Sequence, residues 1–488
     1  MSFPLLYKGW LAQQAAITPD KIAVETPLTN LSYSSFYDCC LERAVYFKQA
    51  GIIKGMHTGI LYSHGLEFWL IVNSLWMLGA VPVPLNTRST VSEINYNLST
   101  AGIKLMIIDP GLVQGYKGAV FICDTFSSDN KLLTRNPGSS NEEVLIEENF
   151  APDTSALILF TSGSSGRPKA VVHTAGSLTG NFININTAFA LSPEDIWLAS
   201  LPLYHIGGFM IPVRALLSGA KVSFPASLQH EEIRKSLDKF RPTHISLVPT
   251  TLSKLLIDKS VPTPNLKYLF LGGGPSDDDL CLEAVRKSWP VVKVYGSTET
   301  CSMVSALRPE ELLLKPGSSG RPFDSNTIEI ERTDENGLIG EIMVKGPSLF
   351  KEYYDDPWAT ADKIKNGWYH TGDYGRLDSE GYLFVESRRE DVIITGGENV
   401  SASEVESVIK SLPGISDAFV FSLTDPVWGE AVCAAAVTAK REKAIIEALK
   451  TLLAGYKIPK KVFIVGSIPR NEMGKVIREK LFRSLNLS

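Results

Sequence analysis

Short apolar segments alternate with helical segments between residues 21 and 288. The predicted strands include residues 22–25, 58–62 and 268–271, and helical stretches such as residues 34–50 lie between them. This alternation favours a mostly parallel sheet with helices on both faces, because each parallel crossover needs about a dozen residues or more. We therefore predict an α/β fold whose large N-terminal domain contains two parallel-type α/β subdomains.

The pattern changes in the later part of the chain. After Arg308 the predicted strands are shorter and are separated by turn signals such as Glu335-Asn336-Gly337, which indicates a β-rich subdomain. Further on, a new series of strands and helices predicts a small α+β lid. The predicted domains are residues 1–387 and residues 388–488. A polar region over residues 111–152 is predicted to be an irregular connection between the two α/β subdomains.

The composition is that of a soluble globular protein, and it argues against some partners. The net charge of -5 at pH 7 gives no electrostatic reason to bind nucleic acid or an anionic membrane surface. An anionic ligand must therefore be held by a local site. The six cysteines show no CxxC and no Cys/His cluster with metal-ligand spacing, so we interpret them as reduced thiols of a cytosolic protein. The sequence leaves open whether the chain forms a homo-oligomer.

Two segments bear on location. The N-terminal residues include Gln13, Gln14 and Pro19 where a signal peptide has its apolar core, so we expect no export signal and a cytoplasmic protein. Residues 66–85 are about as long as a bilayer span requires. However, Gly79 and two prolines divide them into a helix and a buried strand. We therefore predict no membrane span.

A strand-like segment over residues 155–161 runs into a loop of glycines and hydroxyl residues. Glycines let backbone N–H groups turn toward an anion, hydroxyls add donors or a metal ligand, and Lys169 adds a compact positive charge. The loop is not a Walker A motif, because no Gly-Lys-Ser/Thr follows the glycines at the required spacing. A Ser/Gly-rich surface turn is the alternative, but the preceding strand and the final Pro168-Lys169 favour a phosphate-binding loop. Its candidate residues are Thr161, Ser162, Gly163, Ser164, Ser165, Gly166 and Lys169.

Four further positions offer groups that a nucleotide uses. Gly272-Gly273-Gly274 lets backbone approach a flat ligand, although such a run is more often a tight turn. Tyr295-Gly296-Ser297-Thr298-Glu299 offers a ring for adenine, hydroxyls for phosphate and a carboxylate for Mg²⁺, or else a capped helix start. Asp373 suits the two hydroxyls of a ribose, or else a β-turn. Lys475, which follows a glycine near the end of the sequence, offers a positive charge, but taken alone it is interpreted as a solvated surface lysine.

The order and spacing of these motifs resemble those of the adenylate-forming acyl-CoA ligase superfamily, which also includes peptide-synthetase adenylation domains and luciferases. The resemblance extends from the first helix to the end of the chain. The motifs that carry it are residues 161–169, 295–299 and 371–373, Arg388 with residues 396–399, and Lys475. Within the superfamily, some strings are most similar to the o-succinylbenzoate–CoA ligases of bacterial menaquinone synthesis. These strings are residues 201–206, 271–275, 297–302 and 396–399.

The resemblance implies two half-reactions that use ATP, Mg²⁺ and coenzyme A as a co-substrate. A small-molecule carboxylic acid attacks the α-phosphorus of ATP, giving an acyl-adenylate and pyrophosphate, and the coenzyme A thiolate then displaces AMP. Charge builds on the phosphoryl oxygens in the first step, so positioned cations and N–H donors should dominate catalysis. By resemblance, Lys475 bridges the carboxylate and the α-phosphate, residues 161–169 hold the outer phosphates, and Glu299 with Thr161 binds Mg²⁺.

The resemblance also assigns the nucleotide contacts. Tyr295 would stack near adenine, Thr298 would meet the α-phosphate, and Asp373 and Arg388 would bind the ribose. The other residues predicted to line the ATP/AMP site are Gly272, Gly273, Gly274, Gly296 and Ser297.

For the second half-reaction, the resemblance implies a mobile lid that turns about a hinge near Glu390. The movement would withdraw Lys475 and present the Gly396-Gly397 hairpin to a coenzyme A tunnel. The chain departs from the family pattern at Glu390, where Asp or Lys is customary, and at Val400-Ser401-Ala402, where Ile-Tyr-Pro is expected.

His205 matches the gate between the acyl pocket and the thiol entry in the superfamily, and we count it with Lys475 and Glu299 as a predicted catalytic residue. Its alternative interpretation is a core histidine at a strand end. The predicted acyl pocket contains His205, Gly208, Gly273 and Ser302.

The predicted function is therefore an ATP-dependent CoA ligase that acts on o-succinylbenzoate. Another aryl or fatty acid CoA ligase is one alternative, and a stand-alone adenylation enzyme that loads a carrier protein is another. A non-catalytic nucleotide-binding protein is least favoured, because Lys475, Glu299 and Asp373 are all present.

Overall fold

The structure is a computed structural model that describes residues 9–112, 120–123, 150–161, 168–274, 278–324, 326–332, 339–387, 392–469 and 476–487. The chain divides into two compact units. The large unit comprises Met1–Thr87, Asn97–Phe160 and Ala170–Arg388, and the small unit comprises Arg88–Tyr96, Thr161–Lys169 and Arg389–Ser488. The predicted domain boundary between residues 387 and 388 stays a prediction.

Short polar side chains begin several of the helices. Ser32 accepts a hydrogen bond from the Ser35 N–H at the start of the second helix, and Thr174 and Ser177 form a reciprocal capping box at the start of the fifth. The described part of the chain contains no helix that is both long enough and apolar enough to cross a membrane. The helices are α1 (Trp10–Ile17), α2 (Tyr33–Gln49), α3 (Leu66–Met77), α4 (Val91–Thr100), α5 (Ala175–Phe189), α6 (Ile206–Ser218), α7 (His230–Phe240), α8 (Pro249–Ile257), α9 (Asp278–Arg286), α10 (Pro357–Lys363), α11 (Ala402–Ser411), α12 (Glu442–Leu449) and α13 (Arg478–Ser484).

The strands are mostly short, and those of the parallel sheets are rich in buried Val, Ile and Leu. Those that precede residue 300 are β1 (Ile22–Glu25), β2 (Asn30–Ser32), β3 (His57–Leu61), β4 (Val81–Pro84), β5 (Leu105–Ile108), β6 (Val120–Cys123), β7 (Ser155–Thr161), β8 (Lys169–Thr174), β9 (Ile196–Leu198), β10 (Lys221–Ser223), β11 (His244–Leu247), β12 (Tyr268–Leu271) and β13 (Val291–Ser297). The later strands are β14 (Ser302–Leu307), β15 (Arg321–Pro322), β16 (Thr327–Arg332), β17 (Gly340–Lys345), β18 (Glu352–Tyr353), β19 (Ile364–Lys365), β20 (Trp368–Leu377), β21 (Leu383–Ser387), β22 (Val392–Thr395), β23 (Glu398–Ser401), β24 (Ile415–Asp425), β25 (Gly429–Thr438) and β26 (Lys461–Val465).

Two sheets of the large unit are built mainly from parallel strands. One has the order β15-β14-β13-β12-β11-β9-β10-β1-β2, and the pairs from β13 through to β1 are parallel. The other has the order β4-β3-β5-β6 and is parallel throughout. The carboxyl ends of β11, β12 and β13 lie side by side, and this is the edge where ligands gather in parallel sheets.

Antiparallel strands form the β-rich part of the large unit, in the order β16-β17-β20-β19 with β21 beside β20. A further small sheet has the order β18-β8-β7. In the small unit, the sheet β23-β22-β25-β24, with β26 parallel to β25, packs against α11 and α12. The predicted α/β class is confirmed, with its two parallel-type sheets, its β-rich part and its α+β unit.

Buried aromatic rings pack α3 against α6 in the core of the large unit. Trp69 and Trp76 of α3 meet Phe209 of α6 edge to face, with ring centroids 6.2 and 6.0 Å from that of Phe209. Such contacts add to the free energy gained from burying large apolar surfaces. Since α6 contains Gly208 and begins directly after His205, this packing fixes the position of two residues of the predicted acyl pocket.

Two segments differ from the sequence-based prediction. The prediction of an irregular region over residues 111–152 is wrong at β6, which pairs in parallel with β5. Its apolar run is short and surrounded by polar residues, so its pattern is weak. The sequence also gives little indication of α6, because Gly207, Gly208 and Pro212 disfavour a helix. Burial of its apolar side chains outweighs that intrinsic preference.

Candidate active site

The motif predicted to bind adenine and phosphate, residues 295–299, lies at the end of β13, where the backbone geometry restricts which residues can occupy it. The pairing with β14 shifts register between Tyr295 and Gly296. A Cβ on Gly296 would lie 1.9 Å from the carbonyl oxygen of Ser302, so no other residue fits there. Thr300 Oγ1 accepts from the Ser297 N–H at 2.8 Å and donates to the Ser302 carbonyl at 2.7 Å. The motif is therefore a hydrogen-bonded turn, and the capped helix start is not found.

The structure brings the predicted adenine and ribose residues together. Tyr295 is buried, and its hydroxyl donates to Asp373 Oδ2 at 2.8 Å. Asp373 lies inside β20 rather than in a β-turn, and it follows Gly372, whose φ is 79°. The ring predicted to meet adenine and the carboxylate predicted to bind ribose are therefore joined directly, and their roles stay predictions.

Glu341 of β17 holds the backbone that carries Asp373, a function that the sequence did not indicate. Its Oε1 accepts the Gly372 N–H at 2.8 Å, and Thr371 donates to the Ile342 carbonyl at 2.7 Å. Glu341 occupies an outward position of an alternating strand, so it looks like an ordinary surface residue in the sequence.

His173 of β8 anchors the turn from the other side and was also missed. The ring is buried, and its Nε2 lies 2.9 Å from the carbonyl oxygen of Thr298. Burial lowers the pKa of His173 to about 4, so the imidazole is neutral near pH 7. A neutral ring that binds a carbonyl through Nε2 is protonated there, which leaves Nδ1 to accept from Ser177 Oγ at 3.3 Å.

Glu299, the predicted Mg²⁺ ligand, is half-buried in the same turn. Its carboxylate accepts a hydrogen bond from the Tyr353 hydroxyl at 2.9 Å, and its carbonyl accepts the Phe350 N–H at 2.8 Å. Tyr369 is buried nearby, and its pKa is raised well above the usual value by burial, with the charge of Glu299 adding to the effect. Glu299 therefore faces neutral phenol groups.

The predicted acyl-pocket residues belong to α6, to the loop after β12 and to the start of β14. His205 is the N-cap residue of α6, and its ring lies 4.8 Å from that of Tyr204. A Cβ on Gly208 would lie 2.1 Å from the Pro202 carbonyl oxygen, so the helix start needs glycine there. Gly273 has a φ of 78°, which also favours glycine.

Arg214, a residue that the sequence did not single out, lies fully buried two turns further along α6. Its Nη2 donates to Asn181 Oδ1 at 2.7 Å and to Ser302 Oγ at 3.3 Å. Within the described residues Nη1 has no hydrogen-bond partner and the guanidinium forms no ion pair. Burial lowers the pKa of Arg214 to about 10, so the side chain still carries its charge near pH 7.

Several predicted residues lie outside the described part of the chain: Ser162, Gly163, Ser164, Ser165, Gly166, Arg388, Glu390 and Lys475. The residues that flank the phosphate loop are described, since Thr161 ends β7 and Lys169 begins β8. The roles assigned to all of these residues stay predictions.

In the small unit, Gly396 and Gly397 connect β22 to β23 as a two-residue hairpin turn. Their φ angles of 59° and 85° are those that glycine adopts readily in such a turn. The Gly396 N–H donates to the Trp428 carbonyl at 2.8 Å, and a Cβ on Gly396 would lie 2.8 Å from the Trp428 ring. The hairpin tip is therefore restricted to small residues.

Comparison with known families places the chain. The family model for AMP-binding enzymes matches residues 11–354, and the model for the C-terminal domain of AMP-binding enzymes matches residues 404–475. The chain belongs to the AMP-binding enzyme family. The predicted adenylate-forming superfamily is thereby confirmed.

Relatives within the AMP-binding enzyme family match over nearly their whole length. A 2-succinylbenzoate–CoA ligase of Bacillus cereus is 32% identical over 97% of both chains, and one of Bacillus licheniformis is 33% identical over 97% of this chain and 99% of the relative. The o-succinylbenzoate CoA synthetase of Bacillus subtilis is 32% identical in three solved complexes. The TM-score is 0.90 with the product analogue OSB-NCoA and 0.74 with the acyl-adenylate OSB-AMP, each covering 97% of this chain and 98% of that chain. The TM-score is 0.72 for the complex with ATP and magnesium, and that match covers 97% of this chain and 99% of that chain.

Proposed function

We propose that this protein is an ATP-dependent, AMP-forming ligase that joins 2-succinylbenzoate to coenzyme A. A carboxylate oxygen of the acid attacks the α-phosphorus of ATP, and the bond to the β-phosphate oxygen breaks to release pyrophosphate. The coenzyme A sulfur then attacks the acyl carbon, and AMP leaves with the bridging oxygen. The full-length similarity to 2-succinylbenzoate–CoA ligases supports this reaction, and the cytoplasm, where both co-substrates are found, is its proposed location.

The site residues divide this chemistry among them. Tyr295 and Asp373, joined by their hydrogen bond, would hold adenine and ribose. The Glu299 carboxylate fits Mg²⁺, which prefers such hard oxygen ligands, and Thr161 is the second predicted ligand. When bound, the ion would neutralise charge on the phosphate oxygens. Lys475 is proposed to hold the attacking carboxylate against the α-phosphate.

The buried charge of Arg214, unpaired among the described residues, is the observation that most favours a substrate with two carboxylates. A buried cation without a counter-charge is unstable, because little of its lost hydration is replaced. 2-Succinylbenzoate has two carboxylates, and the one that is not activated keeps its charge throughout the reaction. The unpaired Nη1 of Arg214, beside the predicted pocket residue Ser302, would bind that second carboxylate.

A panel of acids tests the proposal. The protein is incubated with ATP, Mg²⁺, coenzyme A and one acid at a time: 2-succinylbenzoate, benzoylpropionate, benzoate or a fatty acid. We expect 2-succinylbenzoate to release AMP at least about a hundredfold faster than benzoylpropionate, which lacks only the ring carboxylate. Equal rates of AMP release with these two acids would contradict 2-succinylbenzoate as the substrate. Adenylation without acyl transfer to free coenzyme A would instead indicate an enzyme that loads a carrier protein.

Arg214→Met should remove most of the preference for the diacid. The variant should lose about a hundredfold in kcat/KM with 2-succinylbenzoate, because the second carboxylate would be buried without a partner, and should change little with benzoylpropionate. Arg43→Met is the matched control, since Arg43 is equally buried but pairs with Glu67. That variant should lower the free energy of unfolding without changing the ratio between the two acids. An unchanged ratio in Arg214→Met would contradict the assignment.

A further inference from the structure

Tyr353 forms a direct hydrogen bond to the proposed metal ligand. Its hydroxyl donates to Glu299 Oε1 at 2.9 Å, and the tyrosine is 4% exposed. An ionised carboxylate only accepts hydrogen bonds, so the phenol is the donor. Such a charge-assisted bond is stronger than one between neutral groups.

The backbone around Tyr353 is held on both sides. Strand β18 pairs with β8, with Tyr353 opposite Val171, and the Tyr353 N–H donates to Thr360 Oγ1 at 3.0 Å. The Phe350 N–H binds the carbonyl of Glu299 at 2.8 Å, and the Phe350 ring lies 4.8 Å from that of Tyr353. The segment that carries Tyr353 thus forms hydrogen bonds to both the backbone and the side chain of Glu299.

We propose that Tyr353 is a positioning residue for Glu299, which it orients to bind the metal ion of metal–ATP. The terminal torsion of a glutamate is soft, so an unsupported carboxylate samples many orientations. The hydroxyl of Tyr353 fixes Oε1 and leaves Oε2 for the ion. This inference rests on the proposed function, in which Glu299 holds Mg²⁺.

The test is direct binding of Mn²⁺, used as the paramagnetic substitute for Mg²⁺, in the presence of a non-hydrolysable ATP analogue. Electron paramagnetic resonance reports the free ion without any turnover. In Tyr353→Phe we expect the Kd for Mn²⁺ to rise about tenfold, the loss expected for one hydrogen bond to a charged group. The Mg²⁺ concentration for half-maximal pyrophosphate exchange should rise by the same factor, while thioester formation from pre-made adenylate stays within about twofold of wild type.

Tyr354→Phe is the matched control, because Tyr354 is the next residue and its ring packs against His57 instead. This variant should bind Mn²⁺ as the wild type does. In a Glu299→Gln background, Tyr353→Phe should have little further effect, because the two residues act as one unit. Should Tyr353→Phe not fold, Glu299→Asp withdraws the carboxylate from the hydroxyl and should weaken Mn²⁺ binding to a similar extent.

Unchanged Mn²⁺ binding in folded Tyr353→Phe would overturn the inference, and so would a full tenfold effect that persists without the Glu299 carboxylate. The binding measurement contains no acid. If the acid panel shows no preference for 2-succinylbenzoate, the proposed substrate is wrong but the Mn²⁺ test of Tyr353 still applies. If Mn²⁺ binding is unchanged in Tyr353→Phe, the role of Tyr353 is wrong but the acid panel still applies.

Discussion

Lys475→Ala is expected to abolish acid-dependent exchange of pyrophosphate into ATP while leaving thioester formation from pre-made acyl-adenylate largely intact. The side chain is proposed to stabilise charge on the α-phosphate only in the first half-reaction. Removing one such preorganised donor lowers kcat by about a hundredfold to a thousandfold. Labelled pyrophosphate measures the first half-reaction, and chromatography of the thioester measures the second.

Lys480→Ala provides the control for Lys475, because Lys480 is an exposed lysine only five positions later in the sequence, in helix α13. Both half-reactions should proceed normally in that variant. An equal loss of the two half-reactions in Lys475→Ala would contradict the proposed division of labour, because it would indicate a general structural role.

Gly397→Leu is expected to have the opposite effect, with normal pyrophosphate exchange and a loss of about a hundredfold in thioester formation. The φ of 85° at Gly397 strains any other residue, at a cost of about 1–3 kcal/mol. A leucine side chain at the hairpin tip would also displace the coenzyme A thiol from its reacting position, and small misplacements reduce rates by about this factor. The measurement is single-turnover formation of the thioester from pre-made adenylate.

Gly414→Leu is the control that separates backbone strain from displacement of the coenzyme A thiol. Gly414 has a φ of 79° and lies in the same unit as Gly397, but away from the hairpin. It should reduce the free energy of unfolding and spare both half-reactions per folded molecule. Normal thioester formation in Gly397→Leu would count against the hairpin as a wall of the coenzyme A tunnel.

Much of the fold was predictable because its signals are local. The strands β1 and β12 have the bounds that their apolar patterns predict, and the helix α2 begins and ends within one residue of the predicted stretch 34–50. Local signals failed where tertiary contacts decide the outcome. Helix α6 forms despite Gly207, Gly208 and Pro212, because its apolar side chains are buried.

The candidate site was predictable only where its residues adjoin in sequence. Tyr295, Glu299 and Asp373 lie in contiguous motifs of unusual composition. The residues that hold and complement them are ordinary in the sequence, and only the fold brings them close. Tyr353 is 54 residues from Glu299, Arg214 is 88 from Ser302, and His173 is 125 from Thr298.

The proline inside α6 has a consequence for the predicted acyl pocket. Pro212 has no N–H, so it cannot donate to the carbonyl of Gly208, the residue four positions earlier. A backbone acceptor is thereby released from the helical ladder at a position where side chains are excluded by the Pro202 carbonyl. The released carbonyl can only accept a hydrogen bond, and so can the oxygens of an ionised acid, so the donor that α6 offers to an acid is the guanidinium of Arg214, six residues later on the same helix.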